Sequence, residues 1–349
     1  MAITVNDPIT IGGLRLQNRI ILSPMQQYMG TPEGFATNHH REFYSRRARD
    51  VSLVIVESTA VSPEGRLFRN DIGIFRDDHV EALRNITDAV HAQGTPIFVQ
   101  LSHGGRKSSP DVTKRLVAPS AIAYDDQYGT PEALSPSGIA QIIEEYRLAA
   151  RRSVAAGFDG IEIHAAHGFL IHQFLSPLSN KRTDAYGGTP ENRARFLQET
   201  LQVVRQEVGR DYPVIIRVSA TDYSEGGLTP EDWVHMLKPL ESDLDAIDVS
   251  SGGLLPVQPS EIYDAYQLPY ATAIKQHFSI PVIAVGKIHA RSLANRILAD
   301  RLADCIAIGR PLLEDPDYAR RLLVSQEQSE SGDLNVQKEL VQACDNLLS

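Results

Sequence analysis

Two cysteines, one tryptophan and four methionines among 349 residues deny the chain several ways of building a protein. Cys305 and Cys344 lie far apart and outside any metal-ligand spacing, so neither a disulfide framework nor a zinc site is expected, and a reducing, cytoplasmic setting fits. Basic residues are outnumbered 34 to 44, a formal net charge of −10. Such a surface repels nucleic acid and anionic membrane, and neither is expected as a partner. No apolar run approaches the roughly 18 residues a membrane helix needs. The opening MAITVNDPITIGG has no basic stretch or long apolar segment, so a soluble, unprocessed chain is expected. The apolar content, 42% of residues, suffices for a sizeable core.

That apolar content comes in short runs alternating with amphipathic stretches, the pattern of parallel strands joined by crossover helices. Eight runs read as strands: IILSPM, SLVIVES, TPIFVQL, FDGIEIH, PVIIRV, DAIDVS, IPVIAVG and DCIAIGR. Helix starts are marked by Thr189-Pro190 and Thr229-Pro230, where Thr can cap and Pro takes the first turn, and helix ends by Gly94, Gly157 and Gly209. An unbroken series of eight strand-helix units predicts an α/β fold, a single (β/α)8 TIM barrel over residues 1–325, followed by a polar C-terminal tail, 326–349. ITIGGLRLQN reads as an N-terminal hairpin lid closing the barrel's bottom. Residues 102–137, rich in Ser, Pro, Asp and Gly, form a long excursion after strand 3 that is expected to shape a binding site.

In this fold chemistry gathers at the C-terminal ends of the strands. Those ends carry Ser23-Pro24-Met25-Gln26, Gln100, His164, Arg217, Ser250 to Gly253, and Gly309-Arg310. Polar groups at a buried rim need partners, and a polar planar ligand across the top would supply them. Gly286 and Gly309 allow backbone N–H groups to approach a phosphate, with Lys287 and Arg310 adding positive charge. Taken singly each residue has a plain reading, a satisfied rim histidine or a structural ion pair; taken as an ordered set they point to a site. His164 and His167 would share a helix face if helical, but no third ligand or acidic cluster accompanies them, so no metal is expected.

The motifs SPM at 23–25 with Tyr28, ESTAVSPEGR at 57–66, VQLSHGGRK at 99–107, HAAHGFLIHQFLSPLSNKRTDAYGG at 164–188, IRVSATDY at 216–223, DVSSGG at 248–253 and GRPLL at 309–313 give the chain a resemblance. It resembles the Old Yellow Enzyme family of FMN-dependent NAD(P)H oxidoreductases, in the short, thermophilic-like bacterial ene-reductase branch, over about residues 3–324. The resemblance implies FMN at the barrel top, its pyrimidine edge against Gln100 and Arg217 and its phosphate near strands 7 and 8, with Gly286, Lys287, Gly309 and Arg310, and Ser251 and Gly252 among the further cofactor contacts. It implies that Ser23, Pro24, Met25, Gln26 and Ala60 contact the other side of the flavin. His164 and His167 would hydrogen-bond a carbonyl or nitro oxygen of an electron-poor alkene, with Tyr28 and Phe169 beside it. NADPH or NADH would reduce the flavin and then make way for a small-molecule substrate; a homo-oligomer is left open.

Two positions depart from that pattern. Gln26 stands where this branch commonly has cysteine, and Phe169 where relatives usually have a tyrosine that protonates the substrate's α-carbon. Tyr28 or water is then expected to supply the proton. The alternatives are an oxidase or quinone/nitro reductase with weak ene-reduction, or a flavin-binding barrel without catalysis.

Overall fold

The computed structural model describes residues 2–324; the expected tail lies outside them. The chain opens with a hairpin of β1 (Ile9–Ile11) and β2 (Leu14–Leu16). Its two-residue turn, Gly12 and Gly13, has φ of +55° and +81°, the left-handed backbone that such a turn demands. There follow β3 (Ile20–Leu22), α1 (Asn38–Arg47), β4 (Leu53–Ala60), α2 (His79–His91) and β5 (Ile97–Ser102). The excursion after β5 contains the two-residue strands β6 (Val117–Ala118) and β7 (Glu132–Ala133), which pair with each other. The chain continues through α3 (Pro136–Ala155), β8 (Gly160–Ala165), α4 (Leu170–Leu175), α5 (Pro190–Val208), β9 (Val214–Ser219), α6 (Pro230–Leu237) and β10 (Ala246–Ser250). It ends with α7 (Leu268–Lys275), β11 (Val282–Ala284), α8 (Arg291–Ala299), β12 (Cys305–Ile308), α9 (Arg310–Glu314) and α10 (Tyr318–Val324).

Strands β3, β4, β5, β8, β9, β10, β11 and β12 close into one parallel barrel in that order. All eight expected strands are present, and the helix signals act as their chemistry requires. The Thr189 hydroxyl accepts from Asn192 N–H, and Thr229 and Asp232 form a reciprocal capping box. Gly94, Gly157 and Gly209 leave their helices with φ of +80°, +83° and +83°. The helix α4 has no sequence counterpart in period, because all six of its residues are buried and no polar face marks a 3.6 repeat.

Two apolar clusters explain why barrel strands read as continuous runs. Leu53 and Ile55 point inside while Val54 and Val56 face the helices, and Phe98 and Ile215 alternate with their neighbours in the same way. The interior cluster includes Ile11 and Leu16, so the hairpin plugs the lower end. Phe98 and Gly160 are paired across β5 and β8, and a Cβ on Gly160 would lie 2.4 Å from the Phe98 ring. The glycine is therefore the space in which that ring sits. Gly160→Ala is expected to cost about 1–3 kcal/mol, read as a lower denaturation midpoint. Phe98→Leu in the same chain should recover part of the loss, whereas equal losses in the single and double variants would contradict this packing.

Candidate active site

Above the apolar plug the barrel interior turns polar. Gln100 and Glu162 are register partners on β5 and β8, and Gln100 Nε2 donates to Glu162 Oε2 at 2.6 Å. One layer higher His164, Arg217 and Asp248 stand side by side on β8, β9 and β10. Arg217 Nε lies 3.2 Å from Asp248 Oδ2, an ion pair without hydrogen-bond geometry. Arg217 Nε, Glu162 Oε1 and both Asp248 oxygens therefore lack hydrogen-bond partners although all three side chains are buried. Burial and the neighbouring Asp248 push the Glu162 carboxyl upward, and burial raises Asp248 too. Glu162 and Asp248 were not singled out from the sequence. Their signal was a charged residue inside an apolar strand run, in FDGIEIH and DAIDVS.

His164 lies within β8 and His167 in the turn beyond it, so the shared helix face considered for a metal pair does not exist. Among the described residues, no group of three or more His, Cys, Asp or Glu is arranged to hold a metal ion. His164 Nδ1 accepts from Ala166 N–H at 3.2 Å, which leaves its proton on Nε2. That Nε2 lies 3.3 Å from His167 Nδ1, and His167 Nε2 lies 2.8 Å from the Ser250 hydroxyl. Read in sequence, these bonds give both neutral imidazoles an Nε2–H. Burial, and then neighbouring positive groups that include Arg217, hold both histidines well below their ordinary value. Phe169 lies over His164 with ring centres 4.2 Å apart.

The backbone of His167 is left-handed, φ +54°. Ser219 Oγ accepts its N–H at 2.9 Å and donates to Gly252 O at 2.7 Å, while Lys107 Nζ donates to His167 O and Gly253 O at 2.9 and 3.0 Å. Gly168 and Gly253 pack so closely that a Cβ on Gly168 would lie 2.2 Å from Gly253 O. Lys107, also missed in the sequence reading, sits over the Tyr124 ring at 4.5 Å and 6.0 Å from the Phe169 ring centre. Burial, then Arg106, push its amine down to about 8.

A cleft with about 650 Å³ of atom-free space opens beside these strands. Ser23, Met25, Arg217, Gly286, Lys287, Gly309 and Arg310 line it, together with Ser250. Ser251 and Gly252 stand just outside: Tyr223 Oη donates to the Ser251 hydroxyl, and the Gly252 Cα faces the Tyr223 ring. Gln100 lies deeper, beneath Arg217. Pro24 continues the chain between Ser23 and Met25. Gln26 points elsewhere, donating from Nε2 to Asp71 Oδ1 at 2.6 Å. Ala60 has both backbone groups bonded, to Ile72 and Ile74. Tyr28, φ +57°, stands half exposed at the rim with its ring 5.4 Å from Phe68.

Neutral, buried histidines make a testable difference to titration. The imidazole Cε1–H resonances of His164 and His167 should stay flat as pH falls from about 8 to about 5. A titration near the ordinary histidine value would contradict the arrangement. Because their folded values are depressed, they stabilise the fold fully above the unfolded histidine value and progressively less as pH falls below it.

Comparison with known proteins agrees with this geometry. Residues 5–328 match the model of the NADH:flavin oxidoreductase / NADH oxidase family. The NADPH dehydrogenase of Bacillus subtilis strain 168 is 45% identical over 323 residues, 92% of this chain and 94% of that protein. An old yellow enzyme homologue from Zymomonas mobilis superposes with a TM-score of 0.81 at 31% identity, covering 92% of each chain. A 2-naphthoyl-CoA reductase in complex with 2-naphthoyl-CoA superposes with a TM-score of 0.87 at 27% identity, and this chain spans 52% of its length. No helix among the described residues is long and apolar enough to cross a membrane. The chain belongs to the NADH:flavin oxidoreductase / NADH oxidase family and is an FMN-dependent NAD(P)H oxidoreductase related to Old Yellow Enzyme.

Proposed function

We propose that the chain reduces electron-poor alkenes, α,β-unsaturated carbonyl or nitro compounds, by ping-pong hydride transfer from NADPH or NADH. The observation that carries the reading is the pair of buried neutral imidazoles side by side at the strand end, whose Nε2–H groups bond His167 Nδ1 and the Ser250 hydroxyl and would have to turn from these to one substrate oxygen on which charge develops.

The residues fit FMN. Arg217 lines the cleft, so its guanidinium offers donors to a polar ring edge. A Cβ on Gly286 would lie 2.6 Å from Gln267 Oε1 and one on Gly309 2.9 Å from Met25 Sδ, so bare backbone forms the wall. Gln100 and Arg217 would hold the pyrimidine side, Gly286, Lys287, Gly309 and Arg310 the phosphate, with Ser251 and Gly252 supporting from behind. Ser23, Pro24 and Met25 would meet the remaining ring edge, with Gln26 and Ala60 beyond them. When bound, FMN supplies a hydride store that the nicotinamide fills and the alkene empties. His164 and His167 would hold the substrate oxygen, and Tyr28 and Phe169 would flank it.

A second reading rests on Phe169. Its ring has no proton to give the α-carbon, which favours acceptors that need none there, such as quinones.

Anaerobic NADPH should bleach the flavin, and 2-cyclohexenone should restore the colour; a protein that stays yellow under NADPH would be a binding barrel instead. His164→Ala or His167→Ala is expected to slow re-oxidation by the enone about a hundredfold while leaving bleaching by NADPH much less affected. Phe169→Tyr should raise enone turnover roughly tenfold or more without changing that for menadione. If the tyrosine changes neither, proton delivery at position 169 does not limit the reaction.

A further inference from the structure

We infer that Glu162 and Asp248 hold one proton between them while the flavin is oxidised and draw a second from water when it is reduced, balancing the charge that arrives beside Arg217. The inference rests on the proposed placement of the flavin's polar edge against Arg217.

The geometry sets one guanidinium against two carboxyls inside a closed barrel. Gln100 fixes one Glu162 oxygen, and Arg217 faces Asp248. The other Glu162 oxygen and both Asp248 oxygens accept nothing else. Two ionised carboxylates with one cation would leave an uncompensated charge in a dry interior, which is far costlier than protonating one of them. The two carboxyls are within hydrogen-bonding reach of each other, so a proton between them neutralises the surplus and gives an orphaned oxygen on each side a partner.

Other groups facing the pair do not replace it. From β5 comes the neutral amide of Gln100, and above on β8 and beyond stand the neutral His164 and His167. β11, β12 and β3 present Ile283, Cys305 and Ile21 to the interior, and burial pushes the Cys305 thiol up to about 12, so it stays protonated. Glu57 on β4 turns outward to Tyr44 and His40 on α1. The exchangeable proton therefore belongs to Glu162 and Asp248 as a unit.

The balance is simple. A hydride brings the flavin two electrons and one proton and leaves it one unit more negative. That negative charge, shared with Arg217, raises the proton affinity of the carboxyl pair. One proton from water enters the pair; when the hydride departs to substrate, that proton is released.

The test is potentiometry of the FMN-bound protein against pH. Wild type should take up two protons per two electrons where Glu162→Gln takes up one, so the slope of midpoint potential against pH falls by about half. Equal slopes in the two proteins would overturn the inference. Arg217→Ala separates this from the placement beneath it: unchanged FMN affinity in that variant sinks the placement, whereas weakened affinity with equal slopes sinks only the proton uptake. Should Glu162→Gln fail to fold, the redox difference infrared spectrum of wild type decides. Reduction should add the carbonyl band of a protonated carboxylic acid, and its absence would refute the uptake.

Discussion

One desolvated cation, Arg217, with Asp248 beside it and Glu162 one layer below, constrains everything above it. Buried charges of this kind do not tolerate piecemeal change: removing one partner typically costs about 3–5 kcal/mol because the other is left uncompensated. The hairpin closes the lower end with Ile11 and Leu16 and the layer above it is Phe98, Ile215 and Ala246, so water has no route from below. The field of the polar layer is thus open only toward the strand ends, where Arg217 reaches the cleft. A glycine paired with Phe98 and an arginine between two acids serve one end: a dry floor beneath a charged roof.

The histidines depend on the same strands through a different set of bonds. A left-handed residue other than glycine costs on the order of 1–3 kcal/mol, and His167 is one. Against this stand a neutral hydrogen bond from its N–H to Ser219 and a charged one from Lys107 to its carbonyl, together worth on the order of 2–4 kcal/mol. The anchors therefore match or exceed the strain, and the turn after β8 is held rather than merely allowed. Trp233 Nε1 donates to Ser219 O at 2.8 Å, so a helix on the outside, α6, fixes the strand that supplies the anchor. The geometry of the histidine turn at the rim is in this sense set by the core behind it.

How much of this could be read from the sequence follows from what has a period or a motif. Strands, caps and helix ends were legible because each is a local pattern, as with Thr229, Pro230 and Asp232. Gly286, Lys287, Gly309 and Arg310 could be placed together because they follow successive strands of a recognised barrel. Glu162 and Asp248 were hidden by their own neighbours: apolar runs on either side read as core, and nothing local says that an acid there faces another strand's arginine. Lys107 stands within the VQLSHGGRK motif with no local sign of its role, since its partners, His167 and Gly253, lie 60 and 146 residues away. Ser250 rather than Ser251 or Gly252 lines the cleft, a difference of one residue that at a strand end decides between the cleft and its outer wall.

Gln26 shows how a substitution can change an element's task without leaving the site. Its amide nitrogen is bound to Asp71, and the other oxygen of Asp71 accepts the backbone N–H groups of Leu67 and Phe68 at 3.0 and 2.9 Å. Phe68 in turn packs edge-on against Tyr28, two residues from where the chain of contacts began. The loop after β3 and the segment around Phe68 are thereby joined into a closed circuit, and the rim position of Tyr28 is tied to a buried carboxyl that burial pushes up to about 6. A cysteine at position 26 would lack the reach and the two N–H donors that glutamine brings. The physical consequence of Gln26 is then a braced rim beside Tyr28, set by a hydrogen bond to Asp71.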